Sequence, residues 1–354
     1  MYEKVNTNES MKIFTELLSV PSPTGREELM AAKILEIAAR WGYKGEQDYT
    51  GNVVIRVKGS GKSKRVTMFS AHMDEIGLVV TRIEPDGRLC IHKLGGTLPW
   101  KLGERPIEIL TDNRDTIIGV ASYGAGHSMV GQSSIEWSNM RVITGLTVEQ
   151  LKEKGVRVGS VAVLPRSHVG PILFGTEEDP MIAAWTYDDR MGCANLLRVL
   201  KTMKEENLVP NCDMTFAFSK QEEVKGNGIK PLVVRELPDV LICVDGGTPF
   251  PGSGITADAN AGPICLTKDS LADYSFDVIL AMKAAAKAVG QELQFGVTDV
   301  AYTDASLALQ SGGPQRVGHI GFVRENSHGF EVLRYSMLDK FFNVLYSFVK
   351  TFVP

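Results

Sequence analysis

Val66-Thr67-Met68-Phe69-Ser70-Ala71-His72-Met73-Asp74 runs from six mostly apolar residues into a histidine and an acid. An apolar run this short reads as a buried strand, and the polar residues behind it read as groups delivered to the end of that strand. The pattern recurs along the chain. Residues 213–219 lead to Gln221-Glu222-Glu223, residues 240–244 to Asp245-Gly246-Gly247, and residues 316–323 to Ser327-His328-Gly329. A further acidic group, Asp188-Asp189-Arg190, opens a helical stretch. Between these runs the spacing predicts helices over 189–203, 230–236, 270–289, 299–310 and 335–352, with one more strand over 292–295. Strands alternating with helices imply an α/β layer fold with a mostly parallel sheet.

Upstream, Thr24 and Glu27 have the spacing of a capping box. Met30, Ile34, Ile37 and Trp41 follow at helical intervals and Gly42 closes the helix. A strand over 52–57 precedes the turn Gly59-Ser60-Gly61. Downstream the texture changes. Residues 76–164 show short strands and turns (78–83, Pro85-Asp86-Gly87, 89–91, 106–110, 117–120) and one short helix, 147–154, with a capping box of Thr147 and Gln150. Short strands at regular spacing predict a small β-barrel or sandwich. The expected division is a discontinuous α/β catalytic domain, 1–75 with 167–354, interrupted by a β-rich domain, 76–166.

Bulk properties narrow the function. A chain of 354 residues with 44% apolar and 23% charged residues is an ordinary globular composition. Net charge is −4 and no basic block stands out, which argues against a nucleic-acid partner. The polar start MYEKVNTNES has no apolar signal region, and no apolar run approaches the length of a membrane span. Cys90, Cys193, Cys212, Cys243 and Cys265 are scattered, odd in number and without C-x-x-C spacing. That pattern points to reduced thiols and a cytoplasmic protein.

In open α/β sheets ligands bind beyond the carboxyl ends of the strands. Five polar clusters therefore converge on one edge, and they share one chemistry: two histidines and several carboxylates, without thiolates. That donor set suits Zn²⁺, Co²⁺ or Mn²⁺. Two ions at close range need a shared carboxylate and would clamp an attacking water and a substrate oxygen.

The strings Ala71-His72-Met73-Asp74-Glu75-Ile76-Gly77, Asp188-Asp189-Arg190, Gln221-Glu222-Glu223-Val224 and Val244-Asp245 resemble the motifs of the dinuclear-metal aminopeptidases of the TET and glutamyl aminopeptidase type. Order and spacing match over nearly the whole chain. The resemblance implies a zinc-exopeptidase-like catalytic domain with an inserted β-barrel, hydrolysis of N-terminal peptide bonds, and two divalent ions per subunit, Zn²⁺ or Co²⁺. It implies that Asp188 bridges the ions, that Glu223 and His328 complete one site and His72 and Asp245 the other. Glu222 would be the general base, and Asp74 would fix the tautomer of His72. A cis peptide at Asp188-Asp189 and a large homo-oligomer, often of twelve subunits, are also implied, with peptides bearing a free N-terminus as substrates. The chain departs from the pattern at Lys225, at Ala261-Gly262-Pro263 and around Glu325-Asn326-Ser327-His328-Gly329, while Thr303-Asp304-Ala305 keeps a family-like form near the expected position of the substrate amine.

Blander readings stand beside these. Asp188-Asp189 caps a helix well whether or not it binds metal, and Asp245 before two glycines suits a turn. His92 reads as surface, His168 as structural and His319 as a core histidine, and His127 sits in a Gly-rich loop, which the resemblance implies can reach a neighbouring subunit's active site. Ser133-Ser134 and the cysteines have no base at a nameable spacing, so a nucleophilic mechanism has little support. The rival functions are an N-acyl amino acid deacylase on the same centre, a glycosidase using paired carboxylates, and a non-catalytic peptide-binding homologue.

Overall fold

A computed structural model describes residues 3–129, 134–249 and 255–354; Met1, Tyr2 and Ser133 lie outside them. The central sheet has six strands in the order Gly45–Gln47, Val53–Val57, Asp213–Ser219, Val66–His72, Val240–Val244, Arg316–Ile320. The first two pairings are antiparallel and the other three parallel. The parallel strands are the apolar runs of the sequence, buried on both faces. Phe69 and Phe216 stand opposite each other in register and their rings stack at 5.4 Å. Phe348 of the last helix, Tyr335–Thr351, meets Phe69 edge-on at 6.2 Å, so that helix covers this face. Ser219, three residues beyond Phe216, projects from the opposite face. There its hydroxyl donates to Asp304 of the helix Asp304–Gln310. Helices thus cover both faces of the sheet.

The inserted block closes into a barrel of six antiparallel strands, Gly77–Ile83, Leu89–Leu94, Arg141–Ile143, Thr116–Ser122, Arg105–Leu110 and Val161–Val163. Alternation fills it: Ile107 and Ile109 point inward from one strand, with Val142 and Ala162 from others. The capping box at Thr147 and Gln150 forms in both directions and opens the helix Val148–Glu153.

Three expectations fail locally. Thr24 and Glu27 make no capping box: the helix starts at Glu28, the Thr24 hydroxyl is buried without a partner among the described residues, and the Glu27 carboxylate instead accepts from the N–H groups of Gly25 and Gln221. The helix expected from 270 begins at Phe276, because the Asp269 carboxylate accepts from the N–H groups of Leu271 and Ala272 and from the Tyr274 hydroxyl, fixing a turn there. The helix expected from 299 begins at Asp304, capped by Thr303. A three-stranded antiparallel sheet, Ile172–Phe174, Met181–Trp185 and Phe330–Arg334, was not anticipated, nor were the helices Glu3–Thr7 and Glu9–Leu18.

Candidate metal centre

Each cluster owes its place to the strand before it. Val66–His72 and Asp213–Ser219 run parallel with His72 opposite Ser219, so His72 and the turn bearing Glu222 and Glu223 leave the sheet side by side. Val240–Val244 ends next door and delivers Asp245. The small sheet supplies the rest: Trp185 pairs with Phe330, which sets Asp188, three residues after Trp185, beside His328, two before Phe330.

The result is two groups that share one acid. Ligand atoms of His72, Asp188 and Asp245 all lie within 4.8 Å of one another, and so do those of Asp188, Glu223 and His328. His72 Nε2 is 3.0 Å from Asp188 Oδ1, while His328 Nε2 is 3.4 Å from Asp188 Oδ2 and 3.6 Å from Glu223 Oε2. All five residues expected to ligate metal are thus brought together. Asp188 and Asp189 are joined by a cis peptide bond.

Asp74 lies beneath the centre. His72 Nδ1 faces its backbone carbonyl at 3.2 Å and its carboxylate at 3.4 Å, so Nδ1 carries the proton and Nε2 turns toward Asp188. The same carboxylate accepts from the N–H of Glu222 at 3.0 Å and of Glu223 at 3.3 Å. One buried acid therefore orients one histidine and two glutamates.

Glu222 belongs to neither group but lines the cavity over both, with Glu223, Asp188, Asp245 and His328. Burial, with Glu223 nearby, holds its carboxyl well above the usual range. Burial pushes Glu223 up to about 7, and Asp245 is raised by burial and by Asp188. Asp188 goes the other way: burial opposes its charge, but Arg324 and both histidines hold it well below its ordinary value. Burial also opposes charge on His72, yet the carboxylates of Asp188 and Asp74 raise it well above an ordinary imidazole.

Sequence reasoning missed Arg324 and Glu331. Arg324 is 3% exposed and its guanidinium donates to Asp188; its Nε donates to Glu331 at 2.7 Å, and Glu331 accepts from the Asp188 N–H at 2.9 Å. The only cue was a charged residue trailing an apolar strand. Lys101 of the barrel segment donates to the backbone carbonyl of Ser327. Gly95 and Gly96, also from the insert, press on the centre: a Cβ at Gly96 would lie 2.4 Å from His328 Nδ1.

Other expectations fall elsewhere. Of Thr303-Asp304-Ala305, Thr303 lines the cavity, and Asp304 is buried and accepts from the Ser219 hydroxyl. His319 is a core histidine whose Nδ1 accepts from the Leu266 N–H, and burial lowers it to about 3. His92 is exposed beside Trp137, His168 is exposed and bonded to Ser167, and His127 is exposed in a short turn.

Four carboxylates, buried Glu222 and Asp245 and partly buried Asp188 and Glu223, line a cavity in which Arg324 is the one arginine or lysine among the described lining residues. Buried negative charge in this excess calls for cations, and imidazole with carboxylate is the donor set of borderline divalent metals. The residues fit such ions. Fold and site together describe a metal-assisted hydrolase built on an α/β sheet.

The chain belongs to the M42 glutamyl aminopeptidase family, whose model matches residues 51–343. It is an aminopeptidase, a hydrolase of peptide bonds. It is 25% identical to the Bacillus subtilis (strain 168) protein named "Putative aminopeptidase YhfE", over 98% of this chain and 99% of that one. The aminopeptidase APDkam598 of the archaeon Desulfurococcus kamchatkensis superposes with a TM-score of 0.87 at 25% identity, covering 99% of this chain and 97% of its own. The Pyrococcus horikoshii TET1 peptidase, described as assembling into a tetrahedron or a large octahedral shell, superposes at 0.84 with 24% identity, covering 97% and 100%. Among the described residues no helix is long and apolar enough to cross a membrane.

Proposed function

We propose that this aminopeptidase works through two divalent ions, His72, Asp188 and Asp245 holding one and Asp188, Glu223 and His328 the other, with Glu222 as general base. The observation that carries the reading is the pair of three-residue groups sharing Asp188. When bound, such ions, Zn²⁺ or Co²⁺ in this reading, would supply Lewis acidity to the scissile carbonyl and acidify the attacking water. The remaining work belongs to the chain. Glu222, which lines the cavity over both groups, takes the proton of the attacking water and passes it to the leaving amine. Asp74 holds His72, Glu222 and Glu223 in register. Arg324 and Glu331 hold Asp188 from the opposite side.

Prolonged chelation should abolish hydrolysis of aminoacyl-nitroanilides, and added Zn²⁺ or Co²⁺ should restore it. Activity that survives metal removal would overturn the reading. Glu222→Gln should lower kcat by about 10²–10⁴-fold while metal content stays at the wild-type level. Acetylating the substrate amine separates the deacylase alternative, which alone would keep its activity.

We further read residues 76–166 as an inserted domain, and residues 1–75 with 167–354 as the catalytic domain, with the insert serving assembly into a large homo-oligomer. Ile118, Val120 and Ile143 support this, each about half exposed on adjoining barrel strands. Mass photometry of the purified protein tests it. Five unpaired, buried cysteines support a cytoplasmic setting.

A further inference from the structure

The cavity, about 290 Å³, has a wall that hydrolysis does not use. Besides the acids it is lined by Thr248, Ile255, Leu266, Thr298, Val300 and Ala301. Leu266 and Ile255, 3% and 7% exposed, form its deep end, and Val300, 65% exposed, stands at the rim. None of these six carries a charge. Of the charged residues close to them in sequence, Lys268 pairs with Asp299, Asp258 accepts from Asn260, and Asp304 is buried against Ser219.

We infer that this wall receives the side chain of the substrate's N-terminal residue and selects an apolar one, leucine-like or methionine-like, in place of the glutamate for which the family is named. The inference rests on the aminopeptidase reading above. An apolar side chain placed against Leu266 and Ile255 leaves water and gains contact. A carboxylate or ammonium there would lose its hydration and meet no counter-ion on this wall. Val300 and Ala301 at the rim leave room to enter but offer no fixed charge.

The test uses the metal-loaded full chain and kcat/KM for leucyl-, methionyl-, alanyl-, glutamyl- and lysyl-p-nitroanilide. The leucyl and methionyl substrates should exceed the alanyl by about 10-fold or more, the scale on which an apolar pocket senses added methylenes. They should exceed the glutamyl and lysyl by about 100-fold or more. A glutamyl or lysyl rate equal to the leucyl would overturn this inference and leave the aminopeptidase reading standing; hydrolysis of none of the five would overturn both. Leu266→Ala should lower the leucyl-to-alanyl ratio by about 10-fold, a ratio that is independent of how much protein folds. Ala301→Glu, an exposed position, should raise the lysyl-to-leucyl ratio by about 10-fold. Ratios unchanged in both variants would place the specificity elsewhere and refute the assignment.

Discussion

Replacing Gly96 by alanine adds one methyl group to the inserted segment, and the structure states where it goes. The new Cβ would lie 2.4 Å from His328 Nδ1 and 2.5 Å from Cε1. Non-bonded carbon contacts settle near about 3.5 Å, so the imidazole must retreat by about 1 Å. Metal–ligand distances tolerate only about 0.2 Å, and a displacement of about 1 Å at a reacting centre costs on the order of 10²-fold in rate. We therefore expect Gly96→Ala to lower kcat/KM by about 100-fold. Affinity for one of the two ions should fall by about 10–100-fold, the scale seen when support for a ligand is disturbed. Gly96 is exposed and does not occupy the left-handed region, so the fold should survive. The assay pairs leucyl-nitroanilide kinetics with metal content per chain by mass spectrometry. Gly126→Ala, whose Cβ would meet nothing within 4 Å among the described residues, is the control. A Gly96→Ala enzyme with wild-type kinetics and full metal would show that the insert does not hold His328 in place.

The other predictions probe the supports of the centre. Asp74→Asn substitutes an amide that can satisfy only one of the two glutamate N–H groups, and should cost about 10–100-fold in kcat/KM with an unchanged circular dichroism spectrum; full activity would deny Asp74 a positioning role. Arg324→Met strands Asp188 and Glu331 without their cation, and should destabilise the metal-free protein by about 3–5 kcal/mol in urea; coincident midpoints would refute this. Burial, with Asp74 nearby, raises Glu27 to about 7 from 4.5. The native state therefore keeps a proton that the unfolded chain releases, and the associated stability is complete below about pH 4.5 and lost as pH rises through 7. The shift corresponds to about 3 kcal/mol. Glu27→Gln should thus stabilise the protein at pH 8 and leave it nearly unchanged at pH 4.5, as read by denaturant melts; equal effects at both pH values would contradict the assignment.

How much of this was legible beforehand follows from the reach of local pattern. Strands buried on both faces announce themselves as apolar runs, so Val66–His72 and Val240–Val244 were readable, and the polar residues at their ends came with them. His328 was picked out beyond the apolar run 316–323 and took its role from the resemblance, although its neighbourhood is shaped by a strand, Phe330–Arg334, that alternates too briefly to be seen. Arg324 and Glu331 escaped because their partnership exists only after the small sheet pairs Trp185 with Phe330. The misplaced helix starts share one cause. Asp269 and Thr303 commit their side chains to nearby backbone N–H groups, a choice that a helical spacing of apolar residues does not reveal.

The positions of the clustered residues along the chain carry a consequence for biosynthesis. The two groups draw on residues 72, 188, 223, 245 and 328 of a chain of 354. During translation the first group lacks a member until Asp245 has emerged, and the second until His328 has. A chain still short of Asp245 therefore holds neither group complete, and one that has passed Asp245 but not His328 holds only the first.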